Sequence, residues 1–320
     1  MNSFPAIVRA ASSGPRRLSE AGSTQTLLGE RSVPSRRSWL FVPANREDRI
    51  AKAFATSADA VLMDLEDACP EADKASARRL VADAAAANGG RRCFVRINSA
   101  QTRHALDDLE AVVVEGLAGV MLPKAETAAG IHAISWVLDQ LEMRRGLERG
   151  SIELIPLVET AIGVCNMTEI ARCHIERVRR LTFGAGDLTT DLGTAWTRDE
   201  GELSQVRTTI VTASRAGRLE PPIDTVWPGI ADADGLALSL SRARSMGFGG
   251  KLLIHPSQVD TANSALSPTE EEISHARRVL EAAAAAQAEG MGAFQLDGRL
   301  MDHVSVVRAR RTLTSIGEII

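Results

Sequence analysis

Charged side chains follow several short apolar runs of this 320-residue chain, at the points where the runs end. One run ends at Asp64, Glu66 and Asp67, and the next ends at Arg96. Carboxylates can bind a cation or move a proton, and a guanidinium is a permanent cation that stabilises developing negative charge. Polar residues also follow strands in ordinary loops, so these positions alone do not separate a catalytic site from a solvated loop.

Two further carboxylates, Glu159 and Asp187, end or closely follow two consecutive apolar runs. If those runs are neighbouring strands, the two carboxylates lie side by side and repel each other unless a cation sits between them. Mg²⁺ is the natural occupant, because one or two carboxylates completed by water and substrate oxygens are its usual ligands. The alternative is a pair that shares a proton in acid–base catalysis, as in glycosidases. The residue types leave both alternatives open.

The elements that position these residues follow from an alternation of apolar runs with stretches of helical spacing. The predicted strands are Trp39–Pro43, Ala60–Leu65, Cys93–Ile97, Gly119–Pro123, Ile152–Val158, Val178–Phe183, Ile223–Trp227 and Leu252–Ile254. The predicted helices between them are Arg46–Phe54, Lys74–Ala87, Thr127–Met143, Ala161–Ala171, Leu203–Ala216 and Asp234–Met246.

Eight strand-then-helix units in about 220 residues predict an α/β fold, a (β/α)8 TIM barrel, whose chemistry lies at the carboxyl ends of the strands. The alternative is a doubly wound open sheet, which would carry a Gly-rich phosphate turn after an early strand. Neither GxGxxG nor GxxxxGK[ST] is present in the chain, which favours the barrel.

Three regions are predicted along the chain: an N-terminal extension at 1–37, disordered or loosely packed, the barrel domain at 38–257, and a C-terminal helical extension at 258–320. Thr269 followed by three glutamates predicts the start of a helix that runs to about Gly290. A second apolar-periodic stretch covers Val304–Ile316. Because this tail does not belong to the barrel repeat, it must pack outside the barrel or on a neighbouring subunit.

The composition excludes several classes of protein. The chain has 37 basic and 41 acidic residues and 3% aromatics, which argues against a nucleic-acid partner. No apolar run approaches the ~20 residues of a membrane span. Four scattered cysteines without a CxxC pair fit a reducing compartment, so we expect a cytoplasmic protein. The Arg-rich first 35 residues keep mitochondrial targeting open as a lesser alternative.

Eight segments in matching order carry a resemblance to a known family. They are SWLFVPANREDRIAKA, DAVLMDLEDACPEADKASAR, FVRIN, GVMLPKAE, PLVETAIGV, TFGAGDLTTDLG, GFGGKLLIHPSQVD and GRLMDHVSVVRAR. Together they resemble the citrate lyase beta subunit-like group of the HpcH/HpaI aldolase superfamily, which includes malyl-CoA and citramalyl-CoA lyases. The resemblance covers residues 38–316. It implies a magnesium-dependent barrel that makes or breaks a carbon–carbon bond between an acyl-CoA enolate and a 2-oxo acid.

The resemblance also implies roles for individual residues. Glu159 of the VET motif and Asp187 of the FGAGDL motif look like the metal ligands. Arg96 of the FVRIN motif is expected to lie over the substrate oxygens. The LEDA carboxylates Glu66 and Asp67 are expected to orient metal-bound water or Arg96.

Other residues are assigned to cofactor binding and to proton transfer. Asn45, Arg46 and Lys124, at the ends of the first and fourth strands, are predicted to be cofactor-binding residues. Asp302 of the GRLMD motif is expected to enter the active site of an adjacent subunit and to exchange the proton of the acetyl methyl group. Its alternative role is to cap the helix that begins near His303. The chain is therefore expected to form a homo-oligomer, a trimer or a hexamer.

Three functions are compatible with these residues and with the resemblance. The first is a carbon–carbon lyase that cleaves or forms a 3-hydroxyacyl-CoA such as malyl-CoA or citramalyl-CoA, giving acetyl-CoA and a 2-oxo acid. The second is an aldolase on free 4-hydroxy-2-oxo acids, which typically relies on a histidine in an early barrel loop; the chain has no histidine before His104. The third is a citrate lyase beta-type subunit acting on a carrier-bound citryl thioester. One departure from the family concerns the metal site, where many relatives have an acidic residue at the position of Gly186.

Overall fold

Eight parallel strands close into a barrel in chain order in a computed structural model that describes residues 36–88, 90 and 92–318. The predicted N-terminal extension at 1–37 lies outside the described residues except for Arg36 and Arg37. The strands are β1 Ser38–Pro43, β2 Ala60–Asp64, β3 Cys93–Arg96, β4 Gly119–Leu122, β5 Glu153–Val158, β6 Thr182–Phe183, β7 Ile223–Asp224 and β8 Gly250–Leu253. The parallel pairing of β1 with β8 closes the sheet, which confirms the predicted TIM barrel.

Two strands are shorter than the apolar runs that predicted them. The run at Val178–Phe183 begins in a turn, because the Val178 N–H bonds the Ile175 carbonyl, and only its last two residues form β6. The run at Ile223–Trp227 forms β7 over two residues, and the chain then passes Trp227 to Pro228, which has no N–H to continue a ladder. The apolar character of both runs reflects burial rather than strand pairing.

The helices surround the barrel. They are α1 Glu47–Phe54, α2 Lys74–Ala87, α3 His104–Val112, α4 Ala128–Arg144, α5 Ala161–Cys165, α6 Met167–Ala171, α7 Ala185–Asp191, α8 Ser204–Ala216, α9 Ala233–Met246, α10 Val259–Leu266, α11 Glu270–Ala288 and α12 His303–Ser315. The single helix predicted at 161–171 is divided at Asn166, whose side-chain amide bonds the Glu126 carbonyl. Among the described residues, no helix has both the length and the apolar character to cross a bilayer.

The barrel interior is filled by side chains. Alternate strand residues point inward and form one apolar cluster of Trp39, Ala60, Leu62, Phe94, Met121, Ile155, Leu157, Ile223 and Leu252. The packing is tight enough that a Cβ on Gly119 would lie 2.6 Å from the Phe94 ring. At the amino end of the strands, Glu153 and Arg180 form a buried ion pair at 2.8 Å. The opposite end, where the polar residues follow the strands, is the end at which a ligand can bind.

The tail after α10 forms a separate helical pair. Helices α11 and α12 pack against each other around a small core of Ile273, Ala276, Val279, Ala309 and Leu313. An antiparallel hairpin of β9 Phe294–Leu296 and β10 Arg299–Met301 joins them. The predicted start of α11 is confirmed: Thr269 and Glu272 bond each other's backbone N–H groups in a capping box.

Candidate active site

A cavity of about 510 Å³ opens at the carboxyl end of the barrel strands. Its charged lining includes five residues singled out from the sequence, namely Asp64, Asp67, Arg96, Glu159 and Asp187. Its apolar lining comes mainly from the ends of β1, β5 and β8 and from loops, and comprises Phe41, Val42, Pro43, Ala68, Leu157, Ala185, Trp196, Val226, Leu252 and Ile254. The barrel thus brings carboxylates and a guanidinium from distant parts of the sequence into one mostly apolar depression.

Arg96, at the end of β3, is held by a set of carboxylates. Its Nε and Nη2 donate to the two oxygens of Asp64 at 2.8 and 2.7 Å. Its Nη1 lies 2.9 Å from Glu66 Oε2, and Nη2 lies 3.5 Å from Asp67 Oδ2. Burial lowers the pKa of Arg96, but the carboxylates of Asp64, Glu66 and Asp67 outweigh it, so the pKa is raised above its ordinary value. The guanidinium is a permanent, oriented cation on the cavity wall.

Asp64 has a larger role than the sequence analysis gave it. It is 2% exposed at the end of β2, and besides Arg96 it accepts the backbone N–H groups of Glu66 and Ala68. It therefore shapes the loop that carries Glu66 and Asp67 while it aligns the guanidinium. The sequence signal for this role was the place of Asp64 at the end of an apolar run. The barrel then pairs Asp64 in register with Arg96 on the next strand.

Glu159 follows β5 and is only 2% exposed. Its Oε1 accepts the backbone N–H of Lys124 at 3.0 Å. Burial, with further contributions from the nearby carboxylates Glu66 and Asp187, raises the pKa of Glu159 to about 8. A buried carboxylate in such surroundings is held in its charged form when a cation binds beside it.

Asp187 lies in the first turn of α7, four residues after the end of β6, and it is partly exposed to the cavity. Lys124 connects it to the other carboxylates, with Nζ at 3.4 Å from Asp187 Oδ2 and 3.2 Å from Glu66 Oε1. Lys124 has a φ of 50°, a left-handed conformation that is uncommon for a residue with a side chain. The backbone N–H of Lys124 faces Glu159, and its ammonium faces Glu66 and Asp187. These three carboxylates form the acidic cluster of the site.

Gly184 is a site residue that the sequence analysis missed. A Cβ at this position would lie 2.4 Å from Glu159 Oε2, so only glycine allows the carboxylate to occupy its place. A Cβ at Gly186, two residues further, would meet nothing closer than a Trp196 ring carbon at 3.9 Å. The aspartate of the FGAGDL segment stands out in the sequence, but sequence alone does not show which of the two glycines contacts a buried carboxylate.

The donor set fits a magnesium ion. Within the described residues no group of three or more His, Cys, Asp or Glu side chains is arranged to enclose a metal. Two carboxylates lining one cavity instead match the way Mg²⁺ binds to proteins, with one or two carboxylates and the remaining positions taken by water and substrate oxygens.

The three residues predicted to bind the cofactor lie in different places. Arg46 is exposed at the start of α1 and lines a second cavity of about 440 Å³, together with Arg49, Lys52 and His255. Arg49 lines both cavities. Asn45 lines neither cavity, and its amide donates to Asp73 Oδ2 at 2.7 Å. Lys124 lies within the acidic cluster.

Asp302 lies outside both cavities within its own chain. It is the N-cap of α12, where Oδ1 accepts the Ser305 N–H at 3.1 Å. The bonds from Ser305 and then Val304 lower the pKa of Asp302, which keeps the exposed carboxyl ionised. Within its own chain, Asp302 therefore has the helix-capping role that the sequence offers as its alternative.

Comparison with known proteins gives the family. The model of the family described as HpcH/HpaI aldolase/citrate lyase matches residues 37–256, which is more than half of the chain. The chain belongs to this family. The predicted superfamily is thereby confirmed, and with it the prediction that the protein is a carbon–carbon lyase.

The relatives span most of the chain. Citrate lyase subunit beta of Escherichia coli K12 is 35% identical over 289 residues, 90% of this chain and 95% of its own length. A (3S)-malyl-CoA thioesterase of Cereibacter sphaeroides is 33% identical over 279 residues, 87% of this chain and 93% of its own. CitE from Mycobacterium tuberculosis in complex with magnesium, acetoacetate and coenzyme A is 35% identical, with a TM-score of 0.71 over 89% of this chain and 99% of that one.

Proposed function

We propose that this member of the HpcH/HpaI aldolase/citrate lyase family is a magnesium-dependent lyase that cleaves or forms a 3-hydroxyacyl-CoA such as malyl-CoA or citramalyl-CoA. The products of cleavage are acetyl-CoA and a 2-oxo acid. The observation that carries the proposal is that Glu159, Asp187 and Arg96 line one cavity at the carboxyl end of the barrel. The magnesium and coenzyme A bound by the CitE relative support it.

Glu159 and Asp187 are the residues that would hold the magnesium ion. When bound, Mg²⁺ supplies Lewis-acid polarisation of the 2-oxo acid oxygens. The protein contributes a fixed donor geometry, because Glu159 is anchored by the Lys124 N–H and confined by Gly184. The apolar walls around the pair limit the water that competes with substrate oxygens.

Arg96 stabilises the charge that develops on oxygen. In cleavage, the 3-hydroxyl group loses its proton, the C2–C3 bond breaks, and the bonding electrons pass to the thioester enolate. A rigid cation beside these oxygens stabilises them in the transition state without reorganising. Asp64, Glu66 and Asp67 hold the guanidinium for this purpose, and the contacts of Glu66 and Asp67 with Arg96 support the proposed orienting role of these two LEDA carboxylates.

Asp302 exchanges the proton of the acetyl methyl group, and it does so from a neighbouring subunit. In cleavage the ionised carboxylate takes the proton that the 3-hydroxyl group loses and delivers it to the enolate carbon. In condensation it removes a proton from the acetyl methyl group and delivers it to the new alkoxide. The proposed contact joins the segment around Asp302 to the barrel mouth of the neighbour, and large apolar side chains are exposed on both surfaces. Beside Asp302, Leu300 is 79% and Val304 53% exposed. After the site strands β5 and β6, Ile162 is 57% and Leu192 52% exposed. We therefore propose a homo-oligomer, a trimer or hexamer, in which the C-terminal extension at 258–320 reaches an adjacent barrel at 38–257.

The cavity beside α1 is the proposed site for the phosphorylated end of the acyl carrier. Arg46, Arg49 and Lys52 place cationic groups next to the catalytic cavity, and cations of this kind recognise phosphate oxygens. Asn45, bonded to Asp73, fixes the loop that leads into this cavity. Lys124 faces the reacting end of the thioester, since its ammonium lies among the site carboxylates.

The second candidate is a citrate lyase beta-type subunit that acts on a carrier-bound citryl thioester. Its support is the 35% identity to citrate lyase subunit beta over 95% of that protein. The two candidates share the metal pair and Arg96 and differ in what enters the cavity beside α1.

A product assay distinguishes these functions. Purified protein with Mg²⁺ is incubated with malyl-CoA and citramalyl-CoA, and acetyl-CoA, free CoA and the 2-oxo acid are measured. The proposal predicts equal amounts of acetyl-CoA and 2-oxo acid. Free CoA with an intact hydroxy acid would identify a thioesterase instead, and turnover restricted to a carrier-bound citryl thioester would identify the beta-type subunit.

Gly184→Ala should weaken magnesium binding about tenfold or more, because the new methyl group would displace the Glu159 carboxylate that it would otherwise contact at 2.4 Å. Gly186→Ala is the matched control, since the nearest atom to its Cβ would be at 3.9 Å. Calorimetric titration with Mg²⁺ measures the affinity of both variants. Equal affinity of the two variants would contradict the assignment of Glu159 as a ligand.

A further inference from the structure

Lys74 is a buried cation next to the active-site loop that the proposed mechanism does not use. It is the first residue of α2 and is only 8% exposed. Its Nζ donates to the carbonyls of Leu65 and Glu66 at 2.7 and 3.0 Å and to Asn98 Oδ1 at 2.7 Å. An ammonium has three N–H donors, so all of them are used.

The same cluster joins the ends of β2 and β3. Asn98, two residues after Arg96, donates its amide to the Leu65 carbonyl at 3.1 Å and to Asp108 Oδ2 at 2.7 Å. Asp108 also accepts the Asn98 backbone N–H at 2.8 Å and is fully buried on α3. The chain segments that carry Glu66 and Arg96 are thereby bonded to each other.

The position of Glu66 depends on this cluster. Its backbone carbonyl is held by Lys74, while its carboxylate contacts Arg96 Nη1 at 2.9 Å and Lys124 Nζ at 3.2 Å. The loop that carries Glu66 has no regular secondary structure of its own, so bonds to its carbonyls determine where the carboxylate lies.

We propose that Lys74 is a positioning residue that fixes Glu66 and, through it, the Arg96 guanidinium over the substrate oxygens. The three hydrogen bonds of Lys74 all go to neutral oxygens. A buried cation on neutral partners is costly for a residue whose only task is to fill the core, where an apolar side chain would serve. The inference rests on the proposed function, because it assigns Arg96 its task there.

The test compares Lys74→Met with Val81→Ala, a control that removes buried methyl groups from the same helix without touching the polar cluster. Two quantities are measured by calorimetry: Mg²⁺ affinity, and the affinity of the magnesium-loaded protein for oxalate, a probe that carries the oxygens of a 2-oxo acid. Turnover of the thioester is measured in parallel. Lys74→Gln, which keeps a shorter donor, replaces Lys74→Met if the latter does not fold.

Lys74→Met should bind Mg²⁺ within about twofold of the wild type, since Lys74 does not contact Glu159 or Asp187. Its oxalate affinity and its kcat should each fall about 10- to 100-fold, the loss that a displacement of about 1 Å causes at a reacting centre. Val81→Ala should retain both. Oxalate affinity and kcat at the level of Val81→Ala would overturn the positioning role. A wild-type protein that binds oxalate but cleaves no thioester would contradict the proposed function alone. The oxalate affinities of Lys74→Met and Val81→Ala would still measure the positioning role of Lys74.

Discussion

Arg96→Met should lower kcat by about 100- to 1000-fold, the loss seen when one fixed donor to a developing oxyanion is removed. The guanidinium lies on the wall of the cavity that Glu159 and Asp187 share, and it is aligned by two bonds to Asp64. Mg²⁺ affinity should change far less, because Arg96 is not a ligand. Steady-state kinetics and a magnesium titration on the same preparation separate the two effects.

The same substitution also tests how the ion pair of Asp64 with Arg96 contributes to stability. Without the guanidinium, the buried Asp64 loses its partner, and removing one member of a buried ion pair costs about 3–5 kcal/mol of unfolding free energy. Adding Asp64→Asn to Arg96→Met should restore much of that stability but none of the activity. An Arg96→Met protein that keeps its kcat would exclude Arg96 from the reaction.

Asp302→Asn should lower kcat by about 100- to 10,000-fold, because the amide cannot exchange a proton with carbon. This variant preserves the helix cap, because asparagine is as good an N-cap as aspartate. The bond from the Ser305 N–H and helix α12 should therefore persist. Thermal unfolding that matches the wild type separates loss of the acid from loss of the cap. Full activity in Asp302→Asn would leave Asp302 as a helix cap only.

Mixing Asp302→Asn protein with Arg96→Met protein tests whether the site is completed by a neighbour. If each site takes Arg96 from one chain and Asp302 from the next, random exchange gives about one site in four with both residues intact. Activity should therefore rise to about a quarter of the wild-type value. A mixture that stays inactive after demonstrated subunit exchange would place Asp302 in its own chain's site or outside the reaction.

The barrel could be predicted from the sequence because buried parallel strands are written as apolar runs and their order in a closed barrel is the chain order. Glu159 and Asp187 were placed together on that basis, and both line the cavity. Strand length was less predictable, because the run that contains β6 is largely buried before its first paired residue and the run that contains β7 is largely buried after its last.

Residues that act through the backbone escaped the sequence analysis. Gly184 matters through the atom it lacks, and Lys74 through bonds to main-chain carbonyls, so neither shows a pattern of residue types. In the proposed oligomer Asp302 acts in the site of a neighbouring chain, and the spacing of residues within one chain does not encode such a contact. The helix cap, by contrast, is local, and the sequence predicts it as the alternative role.

The most direct test of the metal-dependent lyase is to locate the ion. Crystals soaked in Mn²⁺, which replaces Mg²⁺ and scatters anomalously, together with pyruvate, would show the metal position without reference to turnover. We expect an anomalous peak about 2 Å from one carboxylate oxygen each of Glu159 and Asp187, with pyruvate oxygens completing the coordination and facing Arg96. A peak elsewhere, or Glu159 and Asp187 pointing apart with no metal between them, would contradict the assignment of the site.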